Sequence, residues 1–218
     1  MTTSTQWQLA RESAERYQSI LTPVILGPFA EALVDVAAVR KNEWVVDIGC
    51  GTGAAARYAA EAEFSPVGVT AVDLSQAMID VAQSLPDVQG SPIEWHQANA
   101  TALPLEDQSV DVTVCAQTLQ FIPEKLLSLR EMLRVLKPGG RAALSLWCAI
   151  EESPYFSVLV DTVAKHIDIE TSAGLNSAFS LSDAGDIRAL LGEAGFEQID
   201  IATAQPVSYT HLRAHETF

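Results

Sequence analysis

The chain has 218 residues, enough for one domain with a substantial hydrophobic core. Hydrophobic residues make up 48% of the sequence, and the absence of an apolar run of about 18 residues favours a soluble globular protein without an integral membrane segment. Thirteen basic residues against 28 acidic ones give a formal net charge of −15, which disfavours nucleic acid as a partner because its phosphates would be repelled.

The N-terminal residues and the cysteines both bear on the cellular location of the protein. Residues 1–9 lack the basic patch and apolar segment of a secretory signal. The cysteines Cys50, Cys115 and Cys148 are odd in number and widely spaced, and each lies in or just after a predicted strand. We therefore expect reduced thiols and a cytoplasmic protein. Since no histidine–cysteine cluster has zinc spacing, no metal site is predicted.

The first forty residues predict two helices. Residues 7–20 have helical character, because three-and-four spacing joins Leu9, Ser13, Arg16, Tyr17 and Ile20. Thr22 and Pro23 break that pattern, and Pro28 suits the first turn of a second helix. Two helices ahead of the first strand either cover the mouth of a pocket or cap the sheet.

The rest of the chain is organised around residues 44–53. Trp44–Ile48 is short, apolar and rich in β-branched residues, which indicates a buried parallel strand, and it ends in Gly-Cys-Gly-Thr-Gly. A glycine turn that leads into a helix presents free N–H groups beside a positive dipole end, which suits a polar part of a nucleotide-like ligand. Asp47 is costly to bury unpaired, so we expect it to face a donor or a positive charge of that ligand.

Strands and helices alternate after this turn. The predicted strands are 67–72, 93–97, 111–116 and 141–149, and the predicted helices are 54–63, 76–85 and 123–136. The last of these helices is expected to end at Lys137-Pro138-Gly139-Gly140. This alternation predicts an α/β fold with a parallel sheet and right-handed crossovers.

Beyond residue 150 the pattern loosens. A helix is predicted over 154–166, a loop over 168–179, a helix over 182–194 and a strand over 197–203. The segment 151–181 is where a cover over a substrate is expected, because variable function sits on loops over a fixed scaffold.

Polar groups follow four of the predicted strands: Asp47 with the glycine turn, Asp73, Asn99 and Gln117. Ligands of open α/β sheets bind at the carboxyl ends of the strands. Asp73 lies about 20 residues past the glycine turn, the spacing of a carboxylate that binds a ribose diol. Residues 49–54 also match Gly-x-Gly-x-x-Ala, which keeps an NAD(P)-dependent oxidoreductase as an alternative, although Asp47 would repel a pyrophosphate.

Three motifs together carry a family resemblance. Residues 45–53, 71–75 and 136–140 resemble class I S-adenosylmethionine-dependent methyltransferases, within the small-molecule group that includes ubiquinone/menaquinone-biosynthesis enzymes. The resemblance covers about residues 8–205. It implies a Rossmann-like three-layer α/β sandwich with a mostly parallel sheet in the order 3-2-1-4-5-7-6, the last strand antiparallel. It also implies methyl transfer from S-adenosylmethionine to a small-molecule acceptor.

The resemblance assigns cofactor contacts to the first two strand ends. The glycine turn, through Gly49, Cys50, Gly51 and Gly53, would hold the methionine moiety, with Asp47 on the ammonium side. The next strand would supply Asp73 for the ribose hydroxyls.

The remaining expected contacts lie farther along the chain. Leu74 would pack against adenine, and Asn99 would accept from the adenine amino group beside the N–H of Ala100. Asn99 departs from the family's usual Asp, so that bond lacks charge assistance. Gln117 would present its backbone near the methionine moiety. The candidates for contact with the cofactor or the acceptor are Tyr17, Gln120 and Phe121. No residue is assigned as a catalytic base: His96 is expected to be structural, and His166 is expected to lie on the surface or in packing.

The domain boundaries follow from the same resemblance. One methyltransferase domain is expected over 1–207, with N-terminal helices (1–40), a cofactor-binding core (41–150), the cover insertion (151–181) and a C-terminal helix and strand (182–207). Residues 208–218 lose all periodicity and resemble translated sequencing-adapter read-through, the alternative being a natural polar terminus. On the first interpretation the sheet lacks its final antiparallel strand, and a truncated, non-catalytic S-adenosylmethionine-binding domain is a second alternative.

Overall fold

The computed structural model describes residues 11–61 and 66–204. Its centre is a parallel sheet of five strands, which are β1 (Trp44–Ile48), β2 (Gly68–Asp73), β3 (Ile93–Gln97), β4 (Val110–Ala116) and β5 (Leu136–Ser145). They lie in the order β3-β2-β1-β4-β5, so the strand with the glycine turn is central. The predicted Rossmann-like α/β class is confirmed.

Helices cover both faces of the sheet. They are α1 (Arg11–Arg16), α2 (Gly27–Ala37), α3 (Ala54–Glu61), α4 (Gln76–Ser84), α5 (Lys125–Val135), α6 (Pro154–His166), α7 (Ile169–Asn176) and α8 (Ala184–Ala194). A π-helix, Tyr17–Leu26, joins α1 to α2, and short 3₁₀ turns occupy Leu119–Phe121, Ile150–Glu152 and Ser177–Phe179.

Alternation along β1 directs its side chains to two separate cores. Val45 packs with α2 and α3, whereas Val46 and Ile48 pack with α5 and α8. Because successive side chains of a strand point to opposite faces, Asp47 shares the face of Val45 and meets α3. The strand pattern therefore decides which helix the buried carboxylate meets.

The predicted break at Thr22 and Pro23 is wrong, since one helical stretch runs from Arg11 to Ala37 with Pro23 inside it. The stretch changes to π-helical pairing there, and the N–H of Gly27 donates to the carbonyl of Thr22, five residues back. This wider turn accommodates a proline that an α-helical turn would exclude. By length and composition alone this stretch could cross a membrane. Its second half nevertheless belongs to the core, through the buried Leu33 and Val34.

The cover insertion contains more helix than predicted. Residues 169–176 form α7, where a loop was expected. Asp168 caps this helix, because its carboxylate accepts from the N–H of Thr171 at 2.6 Å and from its hydroxyl at 2.7 Å. An Asp at this position is a typical N-cap residue, so the sequence carries a signal for the start of α7.

Two further predictions are wrong at strand boundaries. Residues 136–140 do not separate α5 from the next strand but begin β5, with an irregularity opposite β4 between Val110 and Val112. Residues 197–203 form no strand, since they pair with none of the five described strands. Ile199 instead packs against the α5–α8 core, and its carbonyl accepts from Arg188 of α8. The tail 208–218 lies outside the described residues.

Candidate cofactor site

The glycine turn after β1 is closely packed by neighbouring strands. Gly49 and Gly53 have φ values of 69° and 88°, in the left-handed region that favours glycine. A β-carbon at Gly49 would collide with the side chain of Thr118, and one at Gly53 would collide with the ring of Trp95. The hydroxyl of Thr118 also donates to the carbonyl of Gly49 at 2.9 Å. The turn is therefore fixed to the ends of β3 and β4.

Asp73, at the end of β2, is bonded to this turn. Its Oδ2 accepts from the N–H of Gly51 and its Oδ1 from the N–H of Ser75, both at 2.8 Å. Burial raises the pKa of Asp73, and these main-chain bonds act in the opposite direction. Each carboxylate oxygen has a second lone pair, so Asp73 can still accept from a ligand hydroxyl.

Asp47 is fully buried beneath the turn. Its Oδ2 accepts from the N–H of Ala56 in α3 at 2.9 Å, while its Oδ1 has no hydrogen-bond partner among the described residues. Burial, together with the nearby Asp73 carboxylate, raises the pKa of Asp47 to about 7. An unpartnered buried acceptor next to a second acid would be stabilised by a cationic donor.

Tyr17 lies over the turn from the π-helix. Its hydroxyl is 3.5 Å from the position that a β-carbon of Gly51 would occupy. Burial, together with the charge of Asp73, raises the pKa of the Tyr17 phenol. A second contact ties the same helix to the turn, because the hydroxyls of Thr22 and Thr52 lie 3.4 Å apart in a buried position. The N-terminal helix thus covers the glycine turn, as one of the two sequence interpretations expected.

The end of β4 carries two buried glutamines. Gln117 has a φ of 53°, and its main-chain N–H donates to the carbonyl of Ser145 at 3.0 Å. Its carbonyl accepts from the Gln120 side chain at 2.9 Å. The N–H of Gln117 is therefore used within the protein, whereas its carbonyl keeps a second lone pair and its side-chain amide has no partner among the described residues, so both could meet a ligand.

The adenine candidates lie at the β2 and β3 ends. Leu74 is 41% exposed. Asn99 is exposed as well, and its Oδ1 accepts from the N–H of Thr101 at 3.0 Å. Ala100 is partly buried and packs against the α5–α8 core. These residues flank the Asp73 side of the glycine turn, because β3 pairs with β2 and Gln97 lies opposite Asp73.

The sequence interpretation missed Thr118, Trp95 and Ser145. Ser145 ends β5, and the rule that ligands bind at strand ends could have found it. The spacing of residues along the sequence does not indicate that Thr118 and Trp95 pack against the glycines of the turn. Phe121, an acceptor candidate, closes the 3₁₀ turn after β4.

Comparison with known proteins identifies the architecture. A family model described as a methyltransferase domain matches residues 46–144. The chain is 33% identical over 168 residues to the arsenite methyltransferase of Halobacterium salinarum, across 76% of this chain and 40% of that protein. It is 38% identical over 110 residues to the ubiquinone/menaquinone biosynthesis C-methyltransferase of Hahella chejuensis, across 50% of this chain and 44% of that protein. The chain therefore spans less than half the length of either relative.

A solved structure agrees with the fold. The S-adenosylmethionine-dependent methyltransferase of Aquifex aeolicus superposes with a TM-score of 0.57 at 19% identity, across 86% of this chain and 88% of that one. The sheet order, the glycine turn after the central strand and the methyltransferase-domain match over residues 46–144 agree with one another, and the fold is the Rossmann-like α/β fold of class I S-adenosylmethionine-dependent methyltransferases.

Proposed function

We propose that this protein transfers a methyl group from S-adenosylmethionine to a small organic acceptor in the cytoplasm. The observation that carries the proposal is the unpartnered Oδ1 of Asp47, fully buried beneath a glycine turn that Asp73 holds in place. The Cys50, Cys115 and Cys148 thiols are free, which suits a reducing compartment.

The residues present fit the cofactor. No donor among residues 11–61 and 66–204 reaches the buried Oδ1 of Asp47, and the ammonium group of a methionine moiety is a donor of opposite charge. The Asp73 carboxylate retains lone pairs for a sugar diol. Tyr17 covers the turn with an aromatic ring. A pyrophosphate would instead meet two carboxylates, which disfavours the NAD(P)-dependent alternative.

S-adenosylmethionine, when bound, would supply a sulfonium methyl group; an acceptor's lone pair would bond to the methyl carbon in line with the carbon–sulfur bond, which breaks and leaves its electron pair on sulfur. The protein's part is to position the acceptor and exclude water. Asp47 and Asp73 would fix one end of the site through charge and hydrogen bonds. Gln117 and Gln120 would orient the acceptor at the other end, and an acceptor proton would pass to solvent.

Two of the three cysteines are poorly suited to binding arsenite, the substrate named for one relative. Arsenic(III) is a soft centre that prefers thiolates. Burial raises the pKa of Cys115 to about 12 and the pKa of Cys50 well above its usual value, and the charge of Asp47 adds to both effects. These two thiols therefore stay protonated at neutral pH and are poor arsenic ligands.

The proposal is tested by calorimetry with S-adenosylhomocysteine and with NADH, followed by transfer of labelled methyl to phenolic acceptors. We expect S-adenosylhomocysteine to bind and NADH not to bind. Binding of NADH alone would overturn the proposal. Cofactor binding without transfer to any acceptor would favour the non-catalytic alternative.

A further inference from the structure

We infer that Arg134 and Glu131 of α5 are positioning residues for the base of the cofactor. They act through residues 98–107 between β3 and β4, here called the adenine-side loop, and thereby set the preference for adenine. This inference rests on the proposed function and adds two residues that act from a neighbouring helix.

The adenine-side loop begins beside the proposed ribose carboxylate. The N–H of Ala98 donates to the main-chain carbonyl of Asp73 at 2.9 Å, and Gln97 lies opposite Asp73 in the sheet. A nucleoside whose ribose is bound at Asp73 can therefore place its base against the start of this loop. Asn99 and Ala100, the proposed contacts of the adenine amino group and of a ring nitrogen, are the next two residues.

Local hydrogen bonds make residues 99–102 a tight turn. Oδ1 of Asn99 accepts from the N–H of Thr101 at 3.0 Å, and the Asn99 carbonyl accepts from the N–H of Ala102 at 2.9 Å. Leu103 follows, and it is buried in the α5–α8 core with 6% exposure. The turn thus has one end fixed to β2 and the other at Leu103, so its position depends on what holds Leu103.

Glu131 and Arg134 hold the main chain of Leu103. Its N–H donates to Oε2 of Glu131 at 2.8 Å, and its carbonyl accepts from Nη2 of Arg134 at 3.2 Å. The Arg134 guanidinium also donates to both carboxylate oxygens of Glu131, at 2.7 and 2.8 Å. The two side chains are only 30% and 16% exposed, so solvent and salt screen this pair less than a surface pair.

The same guanidinium reaches farther along the adenine-side loop. Nη1 of Arg134 donates to the carbonyl of Leu105 at 2.8 Å and to Oδ1 of Asp107 at 2.7 Å. Together with the bond to Leu103, one arginine therefore contacts the loop at three positions. Its planar fork of donors fixes these positions relative to one another, which a lysine ammonium cannot do.

These contacts give α5 control over recognition of the base. Asn99 and Ala100 can distinguish adenine from other purines only if the Asn99 side chain and the Ala100 N–H are held in place. A loop released from Arg134 keeps both residues but loses their alignment. Binding would then have to order the loop, at a cost in conformational entropy.

Two nucleosides that differ only in the base measure this effect. Calorimetry on the full chain compares S-adenosylhomocysteine with S-inosylhomocysteine, in which a carbonyl replaces the adenine amino group and the adjacent ring nitrogen carries a proton. We expect the wild type to bind the adenosyl compound at least tenfold more tightly. Equal binding of the two compounds would overturn the inference.

Variants link this ratio of affinities to α5. Arg134→Met should reduce the ratio at least threefold. Glu131→Met, which removes the acceptor of the Leu103 N–H, should reduce it at least twofold. If either variant binds both compounds more weakly but keeps the ratio, its role is merely structural and the inference is overturned.

Arg141→Met is the matched control. Arg141 also donates to both carboxylate oxygens of a glutamate, Glu43, and to two main-chain carbonyls, but it links β5 to the end of α2. This variant should lose stability and keep the wild-type ratio. A fall in the ratio as large as that in Arg134→Met would attribute the effect to general destabilisation and overturn the inference.

Arg134→Lys keeps the test decisive if Arg134→Met does not fold. It retains the charge opposite Glu131 but cannot donate to the carbonyls of Leu103 and Leu105 together, so the ratio should fall at least twofold. In the ligand-free protein, the Leu103 amide should exchange its hydrogen with solvent at least threefold faster than in the wild type. An unchanged ratio or an unchanged exchange rate would overturn the inference.

The wild-type titration separates this inference from the proposed function. If S-adenosylhomocysteine itself fails to bind, both the inference and the proposed function fail. If it binds and the ratio does not respond to Arg134 and Glu131, only the inference on these two residues fails.

Discussion

The main-chain N–H of Gly51 donates to Oδ2 of Asp73 over 2.8 Å. The carboxylate proposed to hold the ribose is thus also a structural part of the glycine turn. Its removal should affect both the conformation of the turn and the binding of the cofactor. The two roles can be separated by experiment.

Asp73→Ala should lower the affinity for S-adenosylhomocysteine at least tenfold, about 1.4 kcal/mol. The reason is the loss of the ribose acceptor together with the bond to Gly51. Isothermal calorimetry measures the change. Asp80→Ala is the control, since among the described residues the Asp80 carboxylate has one hydrogen bond, from Gln76 within α4. Undiminished affinity in Asp73→Ala would contradict the site.

Cofactor affinity should depend on the protonation of Asp47. Burial raises the pKa of Asp47 from 3.8 to about 7, so the folded protein holds this proton more tightly than the unfolded chain does. The contribution of Asp47 to stability therefore falls as pH rises from about 4 to about 7. Affinity for the cationic end of S-adenosylhomocysteine should rise over the upper part of that window and level off above it.

Asp47→Asn should flatten this pH profile, because the amide does not ionise. Calorimetry between about pH 5.5 and about pH 8.5, a range that spans the pKa of about 7, provides the measurement. A profile that keeps its shape in Asp47→Asn would assign the dependence to another group.

Gln117→Met should make the protein more stable and less active. The Gln117 amide is buried without partners, which costs about 1–3 kcal/mol, and methionine removes that cost at a similar length. Urea unfolding should show a gain of about 1 kcal/mol, while methyl transfer falls. Thr113→Val, at another buried unpartnered hydroxyl, is the control that should gain stability without losing activity. A destabilised Gln117→Met would contradict this account.

Arg141 should be a principal contributor to stability at the base of the sheet. It donates to both oxygens of Glu43 at 2.8 Å and to the carbonyls of Ala37 and Ala38, linking β5 to the end of α2. Arg141→Met should cost about 1.5–3 kcal/mol of unfolding free energy. Arg11→Met, which removes the exposed pair with Glu15, should cost less than about 0.5 kcal/mol.

The Arg141 contribution should also depend on pH. The hydrogen bond from Arg141 lowers the pKa of Glu43 below its usual 4.5. This stabilisation is therefore fully present above about pH 4.5 and is lost as the pH falls through the lower pKa of the folded state. The difference in unfolding free energy between the wild type and Arg141→Met should become smaller at low pH, where the bonds to the Ala37 and Ala38 carbonyls are what remains of it. A constant difference would show that Glu43 is not the partner that matters.

Gly53→Ala should be far more destabilising than Gly139→Ala. Both glycines have positive φ, 88° and 80°, so both substitutions introduce backbone strain of about 1–2 kcal/mol. A β-carbon at Gly139 meets open space, whereas one at Gly53 collides with Trp95. The collision should add roughly 1–3 kcal/mol, measured by urea unfolding. Equal losses would mean that Trp95 moves aside freely.

The parallel sheet and the glycine turn could be predicted from local properties of the sequence. The run Trp44–Ile48 is too apolar for a surface strand, and the glycines after it permit a turn that other residues resist, so these local properties located β1 and its turn. Asp73 was predicted to bind a ribose because it lies about 20 residues past the glycine turn. These predictions succeeded for the fold because they depend on neighbours in sequence.

Other features depend on tertiary packing and could not be predicted from the sequence pattern. Pro23 was expected to end a helix, but packing of the α2 half against the sheet keeps the stretch helical through a π turn. Residues 197–203 alternate like a strand but pair with none of the described strands, and Ile199 packs on the α5–α8 core instead. The unpartnered atoms of Gln117 and Ser145 became visible only in three dimensions. Hydrogen-bond satisfaction depends on what surrounds an atom in space, and the spacing of residues along a chain does not record it.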